Sequence, residues 1–399
     1  MKIRLAILTE LIAPYRIPVF NALARHAEID LHVLFLAETN PSVRQWRIYQ
    51  DEIRFSYQVL PSWRTKLGKY DLLLNQNVSQ ALQHLAPEII LCGGYNYLAS
   101  WQAQRWAKRN NVPFLLWSES TSNDQRRGHA LIESLKHTFF ENCDGFVVPG
   151  TSARHYAEQM GASPDRIFLA PNAVDINLFA SGADSARVSA SRVRGALGLP
   201  SRYFLFVGRL VEAKGVFDLL QAYAGLSEKL RSQIGLVIAG DGPLRAELES
   251  MAHSIYPGTI HFPGFVHRDA LASYYALAEC SVLPTHSDPW GLVVNEAMAC
   301  GLPVICSQVA GCAADLIRSN GILVPPADTT LLTRALEEIA TNPVRAKQMS
   351  SRSKELIRNY SPDLCAAGIA NATGAAIQRA SDAETSTQFQ TEPHFTQNL

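Results

Sequence analysis

The chain has 399 residues, with 36 Lys or Arg against 36 Asp or Glu and a formal net charge of zero. A polyanion binder carries a basic surplus, so nucleic acid is not expected as a partner; 47% hydrophobic and 18% charged residues exclude general disorder and supply enough core for two or three domains. The seven cysteines (Cys92, Cys143, Cys280, Cys300, Cys306, Cys312 and Cys365) show no Cys-x-x-Cys spacing, which argues against a disulfide framework or a zinc site and for reduced, buried thiols.

The N-terminal stretch Lys2 to Ala24 is broken by Glu10, Pro14 and Arg16, so no secretion signal is expected. No run approaches the roughly 18 apolar residues of a spanning helix. The expected location is cytoplasmic, at most peripheral at the cytoplasmic membrane face. Short apolar runs then recur at Ile3 to Leu8, Leu31 to Leu36, Ile89 to Leu91, Pro113 to Trp117, Gly145 to Val148 and Ile167 to Leu169, with amphipathic stretches such as Pro18 to His26 and Leu98 to Arg109 between them. Continuous apolar strands alternating with helices predict a parallel sheet covered on both faces.

Between the first two strands of this series and the third lies a segment with Arg44, Arg47, Arg54, Arg64, Lys66, Lys69, Trp46 and Trp63, opposed only by Asp51 and Glu52. Basic and aromatic interleaving suits a membrane surface or a phosphate-bearing acceptor; the alternative is a solvated loop and helix face.

From about residue 181 the composition turns to Ser, Ala, Gly, Asp and Arg, and residues 183–200 are expected to be a linker. A second series of strands follows at Tyr203 to Val207, Leu236 to Ala239, Ile260 to Phe262, Ser281 to Leu283, Val304 to Cys306 and Ile322 to Val324. The expected organisation is α/β, with two tandem Rossmann-like, doubly wound domains facing a central cleft. They span residues 1–182 (acceptor side) and 201–360 (sugar-nucleotide side). A C-terminal helix over 361–380 would pack back on the first domain, and 381–399 would form a disordered tail. A ligand belongs between the domains, where the carboxyl ends of the strands point.

The most informative stretch is Pro284-Thr-His-Ser-Asp-Pro-Trp-Gly-Leu-Val-Val-Asn-Glu-Ala-Met-Ala-Cys-Gly-Leu-Pro-Val-Ile305. It reads as strand, loop, a helix from about Gly291 to Ala299, a stop at Gly301 and a further strand opened by Pro303. Asp288 falls in the loop and Glu296 at least a turn into the helix. The amides of Gly291 and Leu292 at the helix start suit an anion. One acid can hold sugar hydroxyls and the other a ribose, with a diphosphate between them.

These residues resemble the paired-acid signature of glycosyltransferase family 4, the retaining group 1 glycosyltransferases of the GT-B fold. Val207-Gly-Arg-Leu-Val-Glu-Ala-Lys-Gly215 is similar to the family's donor-diphosphate segment, Ala239-Gly-Asp-Gly-Pro243 to its second turn, and Phe262-Pro-Gly-Phe-Val266, with Gly264, to the loop beside the nucleotide base. Pro171-Asn-Ala-Val-Asp175 with Phe179 resembles the segment that closes the first domain. The resemblance implies that Arg209 and Lys214 neutralise the donor's phosphates. It also implies a nucleotide-sugar donor, UDP- or GDP-linked, and transfer to a glycan or lipid-linked acceptor in surface polysaccharide or glycolipid synthesis. No cofactor and no metal are expected, because the chain contains no Asp-x-Asp triplet.

Three departures from the family pattern stand out. The first acid of the pair, commonly Glu, is Asp288, shorter by a methylene. The first strand lacks the usual glycine pair and runs into Glu10-Leu-Ile-Ala-Pro-Tyr-Arg-Ile-Pro18, where Tyr15 and Arg16 offer a hydroxyl and a guanidinium toward the acceptor side. The end of the strand Pro113 to Trp117, often marked by a His in the family, reads Ser118-Glu119-Ser120. Glu119 is expected to take over the contact with the donor sugar and join Asp288 as a catalytic candidate, the alternative being a helix cap with Ser120. His129 is expected in a polar loop. The competing functions are a sugar-nucleotide epimerase or phosphorylase of the same architecture and a non-catalytic sugar-nucleotide sensor. A dinucleotide oxidoreductase ranks last because no Gly-x-Gly-x-x-Gly turn follows the first strand.

Overall fold

Two parallel sheets form the skeleton of the computed structural model, which describes residues 2–40, 45–67, 70–123, 130–255 and 258–390. The first domain contributes β1 (Ile3–Thr9), β2 (Ile29–Phe35), β3 (Ser56–Val59), β4 (Ser62–Leu67), β5 (Tyr70–Asn75), β6 (Ile89–Cys92), β7 (Phe114–Trp117), β8 (Gly145–Val148) and β9 (Ile167–Leu169). Seven of these form one sheet in the order β3-β2-β1-β6-β7-β8-β9, every neighbouring pair parallel. The second domain contributes β10 (Tyr203–Val207), β11 (Gly235–Ala239), β12 (Ile260–Gly264), β13 (Cys280–Leu283), β14 (Val304–Ser307) and β15 (Gly321–Val324), in the parallel order β12-β11-β10-β13-β14-β15.

Successive residues of a strand face opposite sides, so a continuous apolar strand fills two layers of core. In β1, Leu5 and Ile7 enter one buried cluster and Ala6 and Leu8 another. In β10, Tyr203 and Leu205 divide in the same way from Phe204 and Phe206. Both sheets reverse their winding beside their first strand, at β1/β6 and at β10/β13, and these are the points where doubly wound sheets open a crevice for ligands. The chain leaves β1 into the Glu10–Arg16 segment and β10 into the Gly208–Gly215 segment, so both candidate loops lie at switch points.

The sequence reading differs from the structure in three places. Residues 183–200 are not an extended linker: helices Ile176–Val188 and Ala190–Leu197 occupy most of that range, the first capped by Asp175, whose carboxylate accepts from Leu178 N. Their small residues serve close packing, since a Cβ on Gly182 would sit 2.8 Å from that of Ala272. The crossing is earlier, because Ala173 belongs to the first domain's core and Val174 to the second's. The C-terminal helix, Pro362–Gln390, returns to the first domain and buries Cys365, Ala366, Ile369, Ala370, Ala372 and Ala376 there. It extends past Ser381 into the segment expected to be disordered; residues 391–399 lie outside the described residues.

The third difference is strand β3 with the antiparallel hairpin β4–β5, which starts in the basic segment and ends beyond it at Asn75. Ser-Trp-Arg-Thr-Lys-Leu alternates with period two, which is a strand pattern in retrospect. Arg47 and Arg54 are exposed and Trp63 is 66% exposed, whereas Arg64 turns back to Glu10 at 3.2 Å. Arg44, Lys69 and His129 lie outside the described residues. Among the described residues no helix is long and apolar enough to cross a membrane. All seven cysteines are free and buried.

Candidate active site

The second domain's site begins with backbone constraints. After β10 the chain turns through a short 3-10 helix, Glu212–Lys214, into Gly215 at φ +64°. A Cβ at Gly215 would lie 2.0 Å from the carbonyl oxygen of Pro284, so only glycine lets this loop press against the end of β13. The carbonyl of Ala213 accepts from Thr285 Oγ1 (2.6 Å), His286 N (2.9 Å) and Ser287 N (3.2 Å). Three donors on one carbonyl join the two loops into a single unit. The His286 ring pairs with Asp218 in the first turn of the next helix and reinforces the joint.

Lys214 and Asp288 meet on this platform as an ion pair, with side chains 23% and 11% exposed. Asp288 Oδ1 also accepts from the backbone N–H of Trp290 at 3.3 Å. The helix Leu292–Ala299 starts immediately beyond, from Gly291 at φ +96° and without a side-chain cap. Its first-turn amides and its dipole therefore favour an anion beside Lys214. The other family-like turns are stitched to the same surface: Gly208 N donates to Ala239 O (3.0 Å), Leu210 N to Asp241 O (2.9 Å) and Gly240 N to Gly264 O (2.8 Å). A Cβ at Gly240 would stand 1.8 Å from Gly208 O, and Gly264 has φ +81°. Arg209 lies on this stitched loop and is exposed.

Glu296 is set one turn into the helix, where Tyr275 OH donates to its Oε2 at 2.9 Å. Loss of hydration pushes Glu296 up to about 7, against the opposing pull of the Tyr275 hydroxyl and of Arg268. Burial and the neighbouring Glu296 carboxyl raise the Tyr275 phenol well above its ordinary value.

Across the cleft, Arg16 follows β1 and Glu119 follows β7. They form an ion pair, with the Arg16 guanidinium 3.9 Å from the centre of the Trp117 ring. Burial lowers the Arg16 pKa, and the Glu119 carboxylate, helped by Tyr15 and Cys365, outweighs that effect and leaves it raised. Glu119 also accepts from Asn172 Nδ2 at 3.0 Å. The Tyr15 ring stands edge-on to Trp46 at 6.0 Å.

The expected residues therefore assemble as two clusters: Lys214, Asp288, Gly291 and Leu292 with Glu296 deeper in the second domain, and Tyr15, Arg16 and Glu119 in the first. Within these clusters Lys214 is held by Asp288, and Glu119 is held by Arg16 and Asn172. Sequence reasoning also missed the contacts that join the domains. Asp315 accepts from Thr151 N (2.9 Å) and Thr151 Oγ1 (2.7 Å) at the start of helix Thr151–Gln159, Arg268 pairs with Glu52 while covering the Tyr49 ring at 3.8 Å, and Asn295 Nδ2 donates to Asn172 O at 2.9 Å. The available signal was a polar Asn inside the apolar run Leu292-Val-Val-Asn-Glu-Ala-Met-Ala. Among the described residues no three His, Cys, Asp or Glu side chains form a group able to hold a metal ion.

Comparison with known proteins follows the same division. Residues 190–356 match the family model for group 1 glycosyl transferases, and residues 20–178 match that for glycosyltransferase family 4. The D-inositol 3-phosphate glycosyltransferase of Xylanimonas cellulosilytica is 31% identical over 242 residues, 57% of this chain and 57% of that protein. Its counterpart in Acidothermus cellulolyticus is 32% identical over 210 residues, 49% of this chain and 45% of its own. The chain thus spans about half the length of the curated relatives it matches. Among solved structures, Anabaena HepE in complex with UDP and glucose superposes with a TM-score of 0.74 at 15% identity, covering 93% of this chain and 99% of that one. Sucrose-phosphate synthase from Thermosynechococcus elongatus gives 0.72 at 21% identity, covering 93% and 98%. Likeness at these identities shows the two-domain fold.

Proposed function

This chain belongs to the group 1 glycosyltransferases of the GT-B fold, and from that premise we propose that it moves a hexose from a UDP- or GDP-sugar to a glycan or lipid-linked acceptor. The observation that carries the proposal is the Lys214–Asp288 pair at the uncapped start of helix Leu292–Ala299. The two side chains neutralise each other. An arriving diphosphate offers Lys214 a better partner, with Arg209 and the helix amides beside it, and releases Asp288 to face the sugar.

In this reading the leaving diphosphate is stabilised by Lys214, Arg209 and the helix terminus, and no metal takes part. Asp288 stabilises the positive charge that develops at the anomeric carbon. Glu296 holds the ribose, and Gly264 lets the backbone approach the base. Glu119 keeps Arg16 aimed across the cleft, and Tyr15 and Arg16 meet the acceptor. Domain closure excludes water that would otherwise hydrolyse the donor. Retention at the anomeric carbon, a role in surface polysaccharide or glycolipid synthesis, and action at the cytoplasmic membrane face complete the proposal. The UDP and UDP-glucose held by HepE make UDP-sugars the first donors to try.

The test is a product assay over UDP-, GDP- and ADP-sugars with analysis of the anomeric linkage. Glycoside plus free nucleoside diphosphate supports transfer. An isomerised donor, or a sugar phosphate that depends on added phosphate, supports the competing enzymes and overturns it.

A further inference from the structure

We propose that Asn172 and Asn295 are positioning residues that tie the Arg16–Glu119 pair of the first domain to the Asp288–Lys214 pair of the second, and so fix the placement of the two cations across the cleft. This rests on the donor-site reading above. The tie is a continuous polar chain. Arg16 is bound by Glu119, and Glu119 accepts from Asn172 Nδ2 at 3.0 Å. Asn172 O accepts from Asn295 Nδ2 at 2.9 Å, and Asn295 Oδ1 accepts from Trp290 Nε1 at 2.9 Å. The backbone N–H of Trp290 donates to Asp288 Oδ1 at 3.3 Å, and Asp288 binds Lys214.

Burial makes this chain consequential. Asn295 is 0% exposed, Asn172 2% and Trp290 3%. A buried amide costs stability unless it is hydrogen-bonded, and an apolar residue at 295, among Val294, Ala297 and Met298, would avoid that cost. The amide instead supplies a donor that crosses the interface and an acceptor that anchors the Trp290 indole, a combination no aliphatic side chain offers. Asn172 lies beside the point where the chain passes from one core to the other, next to Ala173 and Val174.

Kinetics with a sugar nucleotide that the wild-type protein turns over test the proposal. Asn295→Asp keeps the acceptor for Trp290 but loses the donor across the interface. It should lower kcat by about tenfold or more while the donor KM stays within about threefold, because substrate contacts are untouched. Asn295→Ala should behave alike, and adding Trp290→Phe to it should cost little more, since both changes break one chain. An unchanged kcat, a pure KM effect or fully additive losses would overturn it.

A second readout does not depend on turnover. Nitroxides at Arg105→Cys and Lys347→Cys, exposed positions on the two domains, report the interdomain distance, and the native thiols are all buried. Asn295→Asp should broaden that distribution; identical distributions in both backgrounds would sink the tie. If the wild-type protein turns over no sugar nucleotide, the transferase reading fails, and the distance measurement still decides whether the tie holds the domains.

Discussion

The Lys214 ammonium is ion-paired with the Asp288 carboxylate in the second domain, on loops joined by the carbonyl of Ala213. In the proposed function, donor binding is an exchange of partners: a diphosphate replaces the carboxylate at Lys214, and Asp288 turns to the sugar.

Removing the cations tests that exchange. Lys214→Ala and Arg209→Ala should each weaken donor binding and turnover more than about tenfold, the scale of a charge-assisted contact to phosphate. Circular dichroism should show an intact fold, because the Lys214 side chain is 23% exposed and belongs to neither core. Wild-type kinetics in both variants would remove the site from the second domain.

The acid pair should divide between rate and binding. Asp288→Asn should chiefly lower kcat, since an amide cannot stabilise the charge that appears only in the transition state. Asp288→Glu, which restores the commoner family residue and its charge, should retain activity or shift donor preference. A kinetically silent Asp288→Asn would make Asp288 a structural partner of Lys214 and nothing more.

Glu296 should give the donor step a pH dependence. Its pKa is raised to about 7, so the carboxylate proposed to hold the ribose forms only as pH rises through that value. Donor kcat/KM should therefore climb from pH 6 to 8 with an inflection at about 7, and this limb should vanish in Glu296→Gln. Stability runs the other way. The folded state holds the proton more tightly than the unfolded chain, so the contribution of this group is fully present below about 4.5 and is lost as pH rises through about 7. Glu296→Gln should flatten that slope in thermal melts as well; an unchanged slope would show that another group titrates.

Much of the architecture was legible because parallel strands buried on both faces leave continuous apolar runs: β6, β7, β8 and β10 fall within about a residue of where the runs predict them. Family-like turns were legible through glycines such as Gly215 and Gly240, whose missing Cβ atoms are required by contacts under 2.5 Å. Strand β3 and the hairpin β4–β5 escaped because they lack the continuous apolar run of a strand buried on both faces: β3 is Ser-Tyr-Gln-Val and exposed at every residue, and β4 alternates polar with apolar residues. Residues 183–200 read as linker although helices Ile176–Val188 and Ala190–Leu197 cover most of them, because their Ser, Ala, Gly and Arg have the composition of a flexible segment. Pairings such as Glu119 with Arg16, or Asn295 with Asn172, join residues far apart in sequence; a polar Asn295 in an apolar run marks a position but not its partner.

Transfer itself is measured most directly by incubating the protein with radiolabelled UDP- and GDP-hexoses and a defined array of glycans and lipid-linked saccharides, with and without EDTA. The account predicts label in one acceptor class, nucleoside diphosphate released in equal amount, undiminished activity in EDTA and loss of both products in Lys214→Ala. Donor binding without labelled acceptor or released nucleoside diphosphate, or activity abolished by EDTA and restored by Mg²⁺ or Mn²⁺, would contradict it.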